Sequence, residues 1–299
     1  MDRRFIYIVN PISGTRDKNN LLATIHAKTY AAGFGFEVYD SVADGNYSFL
    51  YPSIEENGVT DIVVVGGDGT INQVVDDLRK FDISFGIIPS GSGNGLAFSA
   101  GLQKDPAKSL ETIFKGNTKM TDAFTVNGTF ACMLCGLGFD AQVAHDFGND
   151  PRRGLLTYIK KTISNFFTAS AYPFIIDTGE RQMATDAFFI SVANSNQFGN
   201  HFTIAPGASL TDGLLDIVVI SKQNKLGVLY CTAKQVCGFN KIQKIETVDE
   251  KSLLIYFQTN KLKIQNLKLA PMHIDGDPVE TASEIEIELI KNCFKLIYP

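Results

Sequence analysis

Apolar and polar positions follow two different rhythms along this chain, and the change falls near residue 121. Before it, short apolar runs at 5–9 (FIYIV), 61–65 (DIVVV) and 85–89 (FGIIP) are separated by stretches with helical spacing. Residues 17–33 place Leu21, Leu22, Ile25, Ala27 and Ala32 roughly on one helix face. FEVYD at 36–40 reads as a further strand, and Thr70 is expected to open a helix through about Lys80. Buried strands that alternate with helices predict a parallel sheet covered on both faces. Open sheets of that kind bind ligands at the carboxyl ends of their strands.

After residue 121, strand-like segments dominate: FTVNGTFACMLCGLGF, AYPFIIDTG, TDAFFISVAN, LLDIVVIS, SLLIYFQT, LKIQNLKL and the alternating EIEIELI. The turn signals NG, TGE, TDG and DGD separate several of them. A second, β-rich domain of mainly antiparallel sheet is predicted. Helices interrupt it, most clearly at 153–169, where Leu155, Leu156, Ile159, Ile163, Phe166 and Phe167 fall on one side. No internal repeat or Pro/Gly/Ser-rich linker marks the join.

Composition narrows the function classes. The chain has 299 residues, 44% hydrophobic and 20% charged, enough to bury two ordinary cores. A net charge of −5 without a dense Lys/Arg run argues against nucleic acid as the main partner. No segment reaches the roughly 20 apolar residues of a membrane span, and the N-terminal apolar run is short for a signal peptide. The expectation is a cytoplasmic protein. Five scattered cysteines fit a reducing compartment, and Cys132 and Cys135 read as core residues rather than half of a zinc site.

Three glycine-rich turns carry the chemistry. NPISG follows the first strand, GGDGT the third and PSGSGNG the fourth, so a parallel sheet puts all three at one edge. Glycines there let backbone N–H groups approach an anion. Thr70 as N-cap, with Gln73 at capping-box spacing, would add a helix N-terminus that favours negative charge. There is no G-x-x-x-x-G-K-[ST], and GSGNG misses the dinucleotide spacing. Asp68 is the anomaly, because a carboxylate in an anion loop repels phosphate unless a cation intervenes or it moves a proton. Magnesium held together with nucleotide phosphates meets the first condition.

GGDGTIN together with GIIPSGSGNGLA resembles the catalytic domain of the diacylglycerol kinase family, which includes bacterial lipid kinases and the sphingosine and ceramide kinases. GLGFDAQV, SVANSNQFGN, IAPGASLTDGLLDIVVI and HIDGDP are similar to the family's later blocks, in the same order, so the similarity covers nearly the whole chain. It implies an α/β nucleotide-binding domain with a parallel sheet at 1–122 and a β-rich domain, an antiparallel sandwich, at 123–291. It further implies that a last strand in 292–299 returns to the first domain, and that the active site lies in the cleft between the two. Asn10, Pro11, Ser13, Gly14, Ser41, Gly66, Gly67, Asp68, Gly69, Thr70, Asn72, Ser92, Gly93 and Asn94 would then contact ATP. Ser209, Asp212 and Leu214 correspond to a structural magnesium site of bacterial members, Ser209 and Leu214 through backbone carbonyls. Asp277 falls on the family's DGE carboxylate, the proton acceptor. Two departures stand out: Gly95 and Phe98 replace an acidic and a basic residue of many bacterial members, and Asp277 is one methylene shorter than Glu.

The resulting expectation is a lipid kinase that uses ATP and Mg²⁺, with Asp68, Asp275 and Asp277 as its carboxylates and either Asp277 or Asp68 as base. Asp275 also reads as a hairpin-turn residue in DGD. Asn194 and Asn196 are candidates to face substrate, and His273 to orient an acid. A lipid substrate implies transient peripheral contact at the inner membrane surface, with Arg152, Arg153, Lys160 and Lys161 as a candidate patch. The rival readings are a soluble small-molecule kinase of the NAD-kinase or phosphofructokinase type, and a catalytically weak nucleotide- or lipid-binding regulator.

Overall fold

The structure, a computed structural model, describes residues 3–14, 18–148, 165–166, 168–197 and 203–299. The chain divides into two compact units, Met1–Thr121 with Asn292–Pro299, and Asp122–Lys291.

The first unit is built on β1 (Arg4–Val9), β2 (Gly35–Asp40), β3 (Asp61–Gly66) and β4 (Ser84–Pro89), parallel in the order β2-β1-β3-β4. The C-terminal end of the last strand, Lys295 and Leu296, pairs in parallel beyond β4 with Ser84 and Phe85. Between these strands run α1 (Lys18–Ala31), α2 (Tyr51–Glu55), α3 (Asp68–Leu78), α4 (Gly95–Ser99) and α5 (Pro106–Lys115). Every residue of β3 is buried, as its unbroken apolar run requires. Phe5, Tyr7, Val9, Val63, Val65 and Ile88 form one core face against Leu21 and Ile25 of α1 and Leu110 and Ile113 of α5. The alternate residues Ile6, Ile8, Ile62 and Val64 are equally buried, and α3 packs on β3 through an apolar side bearing Ile71, Val74, Val75 and Leu78.

One expected boundary is wrong. α3 begins at Asp68 with Gly67 as its extended N-cap, and Ile71 N–H already bonds to Gly67 C=O at 3.1 Å. Thr70 is therefore inside the first turn and caps nothing. The carboxylate of Asp68, placed where the helix N-terminus favours negative charge, lets the helix start two residues early.

The second unit holds β6 (Thr129–Ala131), β7 (Leu134–Gly138), β8 (Tyr172–Asp177), β9 (Gln182–Ala193), β10 (Leu215–Ser221), β11 (Leu254–Thr259), β12 (Lys261–Asn266), β13 (Met272–Ile274) and β14 (Asp277–Val279). β5 (Thr118–Val126) and β15 (Glu284–Ile297) begin or end in it. Antiparallel pairing runs β14-β13-β7-β9-β8-β12-β15, with β10 and β11 paired beyond β9. Charge and apolar alternation pin the register of β12 on β15: Leu262 and Ile264 face Ile287 and Ile285, while Lys261 and Lys263 face Glu288 and Glu286. A one-residue slip would turn the apolar set to water. Asn127–Gly128 and Asp275–Gly276 are both two-residue hairpin turns with positive φ at each position, as NG and DG sequences favour.

Two helices of this unit, α6 (Phe139–Gly148) and α7 (Lys225–Val236), were not picked out by the apolar pattern. Of the helix expected over 153–169, residues 165, 166, 168 and 169 are described; the first three are helical and Ala169 lies just past them, its N–H bonded to Asn165 C=O at 2.8 Å. Arg152, Arg153, Lys160, Lys161 and His201 lie outside the described residues.

Candidate active site

In the first unit, the three glycine turns follow β1, β3 and β4 at one sheet edge, as the parallel order requires. They also interlock. Asn10 donates its backbone N–H to Val65 C=O at 3.0 Å and its amide to Thr70 Oγ1 at 2.8 Å, tying the first turn to the second. Ser13 Oγ lies 2.9 Å from Ser90 Oγ, tying the first to the third. Gly14 has φ +65°, and a Cβ there would stand 2.1 Å from Ser90 O, so no other residue fits. A Cβ on Gly91 would lie 2.4 Å from Gly67 Cα, which makes the second and third turns a backbone-to-backbone contact. Ser41, at the end of β2, donates its N–H to Val9 C=O at 2.8 Å and so borders the same edge.

Asp68 closes this frame. Its two oxygens accept from Gly95 N–H at 3.0 Å and Leu96 N–H at 3.2 Å, the first amides of α4. Asn94, left-handed at φ 57° and buried, shapes the entry to α4 through a pair of 2.8 Å bonds with Gly91. Both contacts are made by backbone N–H groups, so the side chain at position 95 does not supply them.

Among the described residues, the edge carries a cation that the motif reading passed over. Lys18 Nζ donates to Ser13 Oγ at 2.8 Å. Its signal was weak: with Arg16 it is one of two basic residues that follow Gly14 in the sequence, and it opens α1. Donors at this edge therefore comprise the Ser13 and Ser90 hydroxyls, the Lys18 ammonium and the first-turn amides of α3, which helix geometry leaves without intrahelical partners. Such a set fits the phosphates of a nucleotide.

In the second unit, Asp275 sits buried at φ 50°, and its carboxylate accepts from three consecutive amides: Cys132 N–H at 2.8 Å, Met133 N–H at 2.9 Å and Leu134 N–H at 2.9 Å. It fastens the β13–β14 turn to the start of β7. Of the two readings of this residue, the turn former is the one its contacts describe. Asp277, two residues on, opens β14 with its side chain exposed.

His273 shares this turn. Its Nδ1 accepts Gly276 N–H at 3.2 Å, which assigns the ring proton to Nε2 in the neutral form. Nε2 faces Asp140 Oδ2 at 3.5 Å, with both side chains largely buried. Gly136 makes room for the pair: a Cβ there would fall 2.2 Å from Asp140 Oδ2 and 2.3 Å from His273 Nε2. Asn194 donates its amide to Asp122 C=O at 2.8 Å and Cys132 C=O at 2.9 Å, so it braces buried backbone. Cys132 and Cys135 are both buried, and burial pushes the Cys135 thiol well up.

The turn bearing Ser209, Asp212 and Leu214 is bolted to Asp122, which donates its N–H to Leu210 C=O and accepts from Gly213 N–H, each at 2.8 Å. Burial raises the Asp212 carboxyl, and the nearby Asp122 charge adds to that rise. The same loop is anchored from below: Gly207 N–H donates to Tyr256 Oη at 2.8 Å, and Tyr256 donates to Asp216 at 2.5 Å. Burial holds the Asp216 carboxyl up at about 6 against the bonds from Tyr256 and Gln258. Asp122 and Asp216 were missed by motif reading, although an aspartate inside LLDIVVI is a signal in itself. Among the described residues no three of His, Cys, Asp and Glu converge as a metal cluster. The Asp122–Asp212 pair, with backbone and hydroxyl oxygens of its turn, is an oxygen-only donor set of the kind that suits Mg²⁺ with retained water.

Comparison with known proteins follows the same two-part division. Residues 4–126 match the diacylglycerol kinase catalytic domain, and residues 134–293 match the YegS C-terminal NAD kinase beta sandwich-like domain. A diacylglycerol kinase of Bacillus subtilis is 24% identical over 280 residues, 92% of this chain and 90% of that protein. An uncharacterized protein of Synechocystis, sll0036, is 24% identical, covering 98% of this chain and 69% of its own. A crystal structure of a diacylglycerol kinase from Bacillus anthracis superposes with a TM-score of 0.74 at 20% identity, covering 100% of this chain and 97% of that one. At that identity the likeness speaks for the fold.

Proposed function

Because the chain belongs to the diacylglycerol kinase-like lipid kinase family, its two parts being that family's catalytic and β-sandwich-like domains, we propose that it transfers the γ-phosphate of ATP to a hydroxyl of a lipid. Diacylglycerol, a long-chain base or a related lipid would be the acceptor. The observation that carries this reading is the interlocked edge of three glycine turns, with Lys18 donating to Ser13 and Asp68 spanning to α4. Phosphoryl transfer asks the protein for positioning and charge neutralisation more than for covalent chemistry.

Mg²⁺, when bound with the nucleotide, would offset phosphate charge. The chain's own residues divide the remaining work. First-turn amides of α3, the Ser13 and Ser90 hydroxyls and Lys18 hold the phosphates. Asp68 keeps the second and third turns in register and places a carboxylate that would help hold the cation at the phosphate edge. Asp277, exposed at the start of β14, accepts the proton of the attacking hydroxyl, with Asp275 fixing the turn that presents it. Asp212, Asp122 and the oxygens of Ser209 and Leu214 hold a structural cation that stiffens their turn.

The experiment is ATP consumption with Mg²⁺ against two sets of acceptors. One set is detergent-dispersed diacylglycerols, long-chain bases and ceramides; the other is soluble acceptors, including NAD and sugar phosphates. Lipid-dependent consumption supports the reading. Consumption driven only by a soluble acceptor, or none with any acceptor, overturns it.

A further inference from the structure

Helix α7 has two apolar faces where a half-buried helix needs one. Val228, Cys231 and Gln235 face inward, and Gln235 donates to Ile204 C=O at 2.9 Å. On the outside, Leu226 is 79% exposed, Leu229 51% and Tyr230 68%. With Ala233 and Cys237 these residues follow the spacing i, i+3, i+4, i+7, i+11 of a second stripe. The apolar surface continues past the helix. Phe239 is 73% exposed, Ile242 43% and Leu253 51%, and Tyr230, Lys234, Phe239, Lys241, Ile242 and Leu253 line an open groove of about 510 Å³.

Charge says what this surface fits. Residues 222–244 contain five lysines and no Asp or Glu, in a chain whose net charge is −5. Two of the five are spoken for: Lys225 donates to Phe166 C=O and Ala169 C=O, and Lys222 lies 3.4 Å from Asp186. Lys234, Lys241 and Lys244 are exposed, and among the described residues none of them makes an ion pair. Bulky apolar side chains ringed by free ammonium groups are the composition of an interfacial helix on acidic lipid. A second copy of this chain is a poor occupant, since a two-fold contact through this face would set lysines against lysines.

We propose that the outer face of α7, with Phe239, Ile242 and Leu253, docks the protein on an anionic bilayer surface. Leu226, Leu229, Tyr230 and Phe239 enter the boundary between headgroups and acyl chains, and Lys234, Lys241 and Lys244 engage the lipid phosphates. The choice of a bilayer over an acidic protein rests on the lipid-kinase reading, because a lipid acceptor is presented at such a surface.

The test is co-sedimentation of the full chain with phosphatidylcholine vesicles and with vesicles rich in phosphatidylglycerol. Wild type is expected to bind the anionic vesicles, less so in high salt. Lys234→Gln, Lys241→Gln and Lys244→Gln should each weaken binding on the order of fivefold. The double substitution Leu229→Glu, Phe239→Glu should weaken it more than tenfold. All these positions are exposed, so melting temperature and turnover with detergent-dispersed lipid should stay at the wild-type level. Equal binding of both vesicle types by wild type, or binding unchanged in the variants, overturns the inference. So does a wild-type dimer in analytical ultracentrifugation that the Leu229/Phe239 variant dissociates. Selective vesicle binding without kinase turnover in detergent would leave this surface standing and remove the kinase reading instead.

Discussion

Replacing Asp275 by alanine separates a structural carboxylate from a catalytic one. Its side chain accepts three N–H groups, from Cys132, Met133 and Leu134, at 2.8–2.9 Å in a site where Asp275 itself is only 7% exposed. Removing the carboxylate leaves three buried donors, each costing about 1–3 kcal/mol when unsatisfied. These costs share one turn and do not add fully, so about 3–6 kcal/mol is the working figure. Alanine also tolerates the φ of 50° less well than aspartate, whose short polar side chain bonds locally there, and this adds to the loss. Asp275→Ala should therefore lose a large part of a typical stability of about 5–15 kcal/mol. Asp275→Asn tolerates the same φ and keeps one acceptor oxygen, so its loss should be clearly smaller. Urea unfolding followed by circular dichroism, with midpoint and slope fitted together, measures both. The reasoning is refuted if Asp275→Ala unfolds within about 1 kcal/mol of wild type while abolishing turnover.

Other predictions concern groups that act at a distance from the motifs. Asp216 carries its proton to about 6 in the fold against an ordinary 3.8, so the folded state binds more protons and wild-type stability should fall as pH rises from about 4 to 6. The shift corresponds to about 3 kcal/mol, and Asp216→Asn should flatten this segment of a pH-dependent urea series. Gly136→Ala drives a methyl into Asp140 and His273 and should cost about 1–3 kcal/mol in the same unfolding assay. Asp140→Ala in the same background, which removes one of the two crowded atoms, should recover part of that loss. Lys18→Ala should raise the KM for ATP about tenfold or more, as loss of a charge-assisted contact worth about 1.5–3 kcal/mol would, with little change in the KM for lipid.

Much of the first unit was legible because its signals are local. β1, β3 and β4 are short unbroken apolar runs, and the turns after them are written in glycine. In the second unit, EIEIELI and KLKIQ announce the β12–β15 register through alternation alone. The assignments that motif reading could not make depend on partners far apart in sequence. Asp68 looked like a carboxylate awaiting only a metal or a proton. Its carboxylate accepts from the amides of Gly95 and Leu96, reached only when two glycine turns fold against each other. Asp275 was read both as a catalytic acid and as a turn residue, and the three amides it accepts lie more than 140 positions earlier. α7 was hidden for a different reason: with apolar residues on both sides, its pattern lacks the polar face that marks an ordinary surface helix.

The account turns on Asp277 as the group that takes the proton from a lipid hydroxyl. Transfer of labelled γ-phosphate from ATP to detergent-dispersed diacylglycerol, long-chain base and ceramide, read as label entering the organic phase, tests it directly. Wild type with Mg²⁺ should label one of these lipids, and Asp277→Asn should label it at least about a hundredfold more slowly while melting at the same temperature. No labelled lipid from wild type, or equal labelling by Asp277→Asn, would contradict the account.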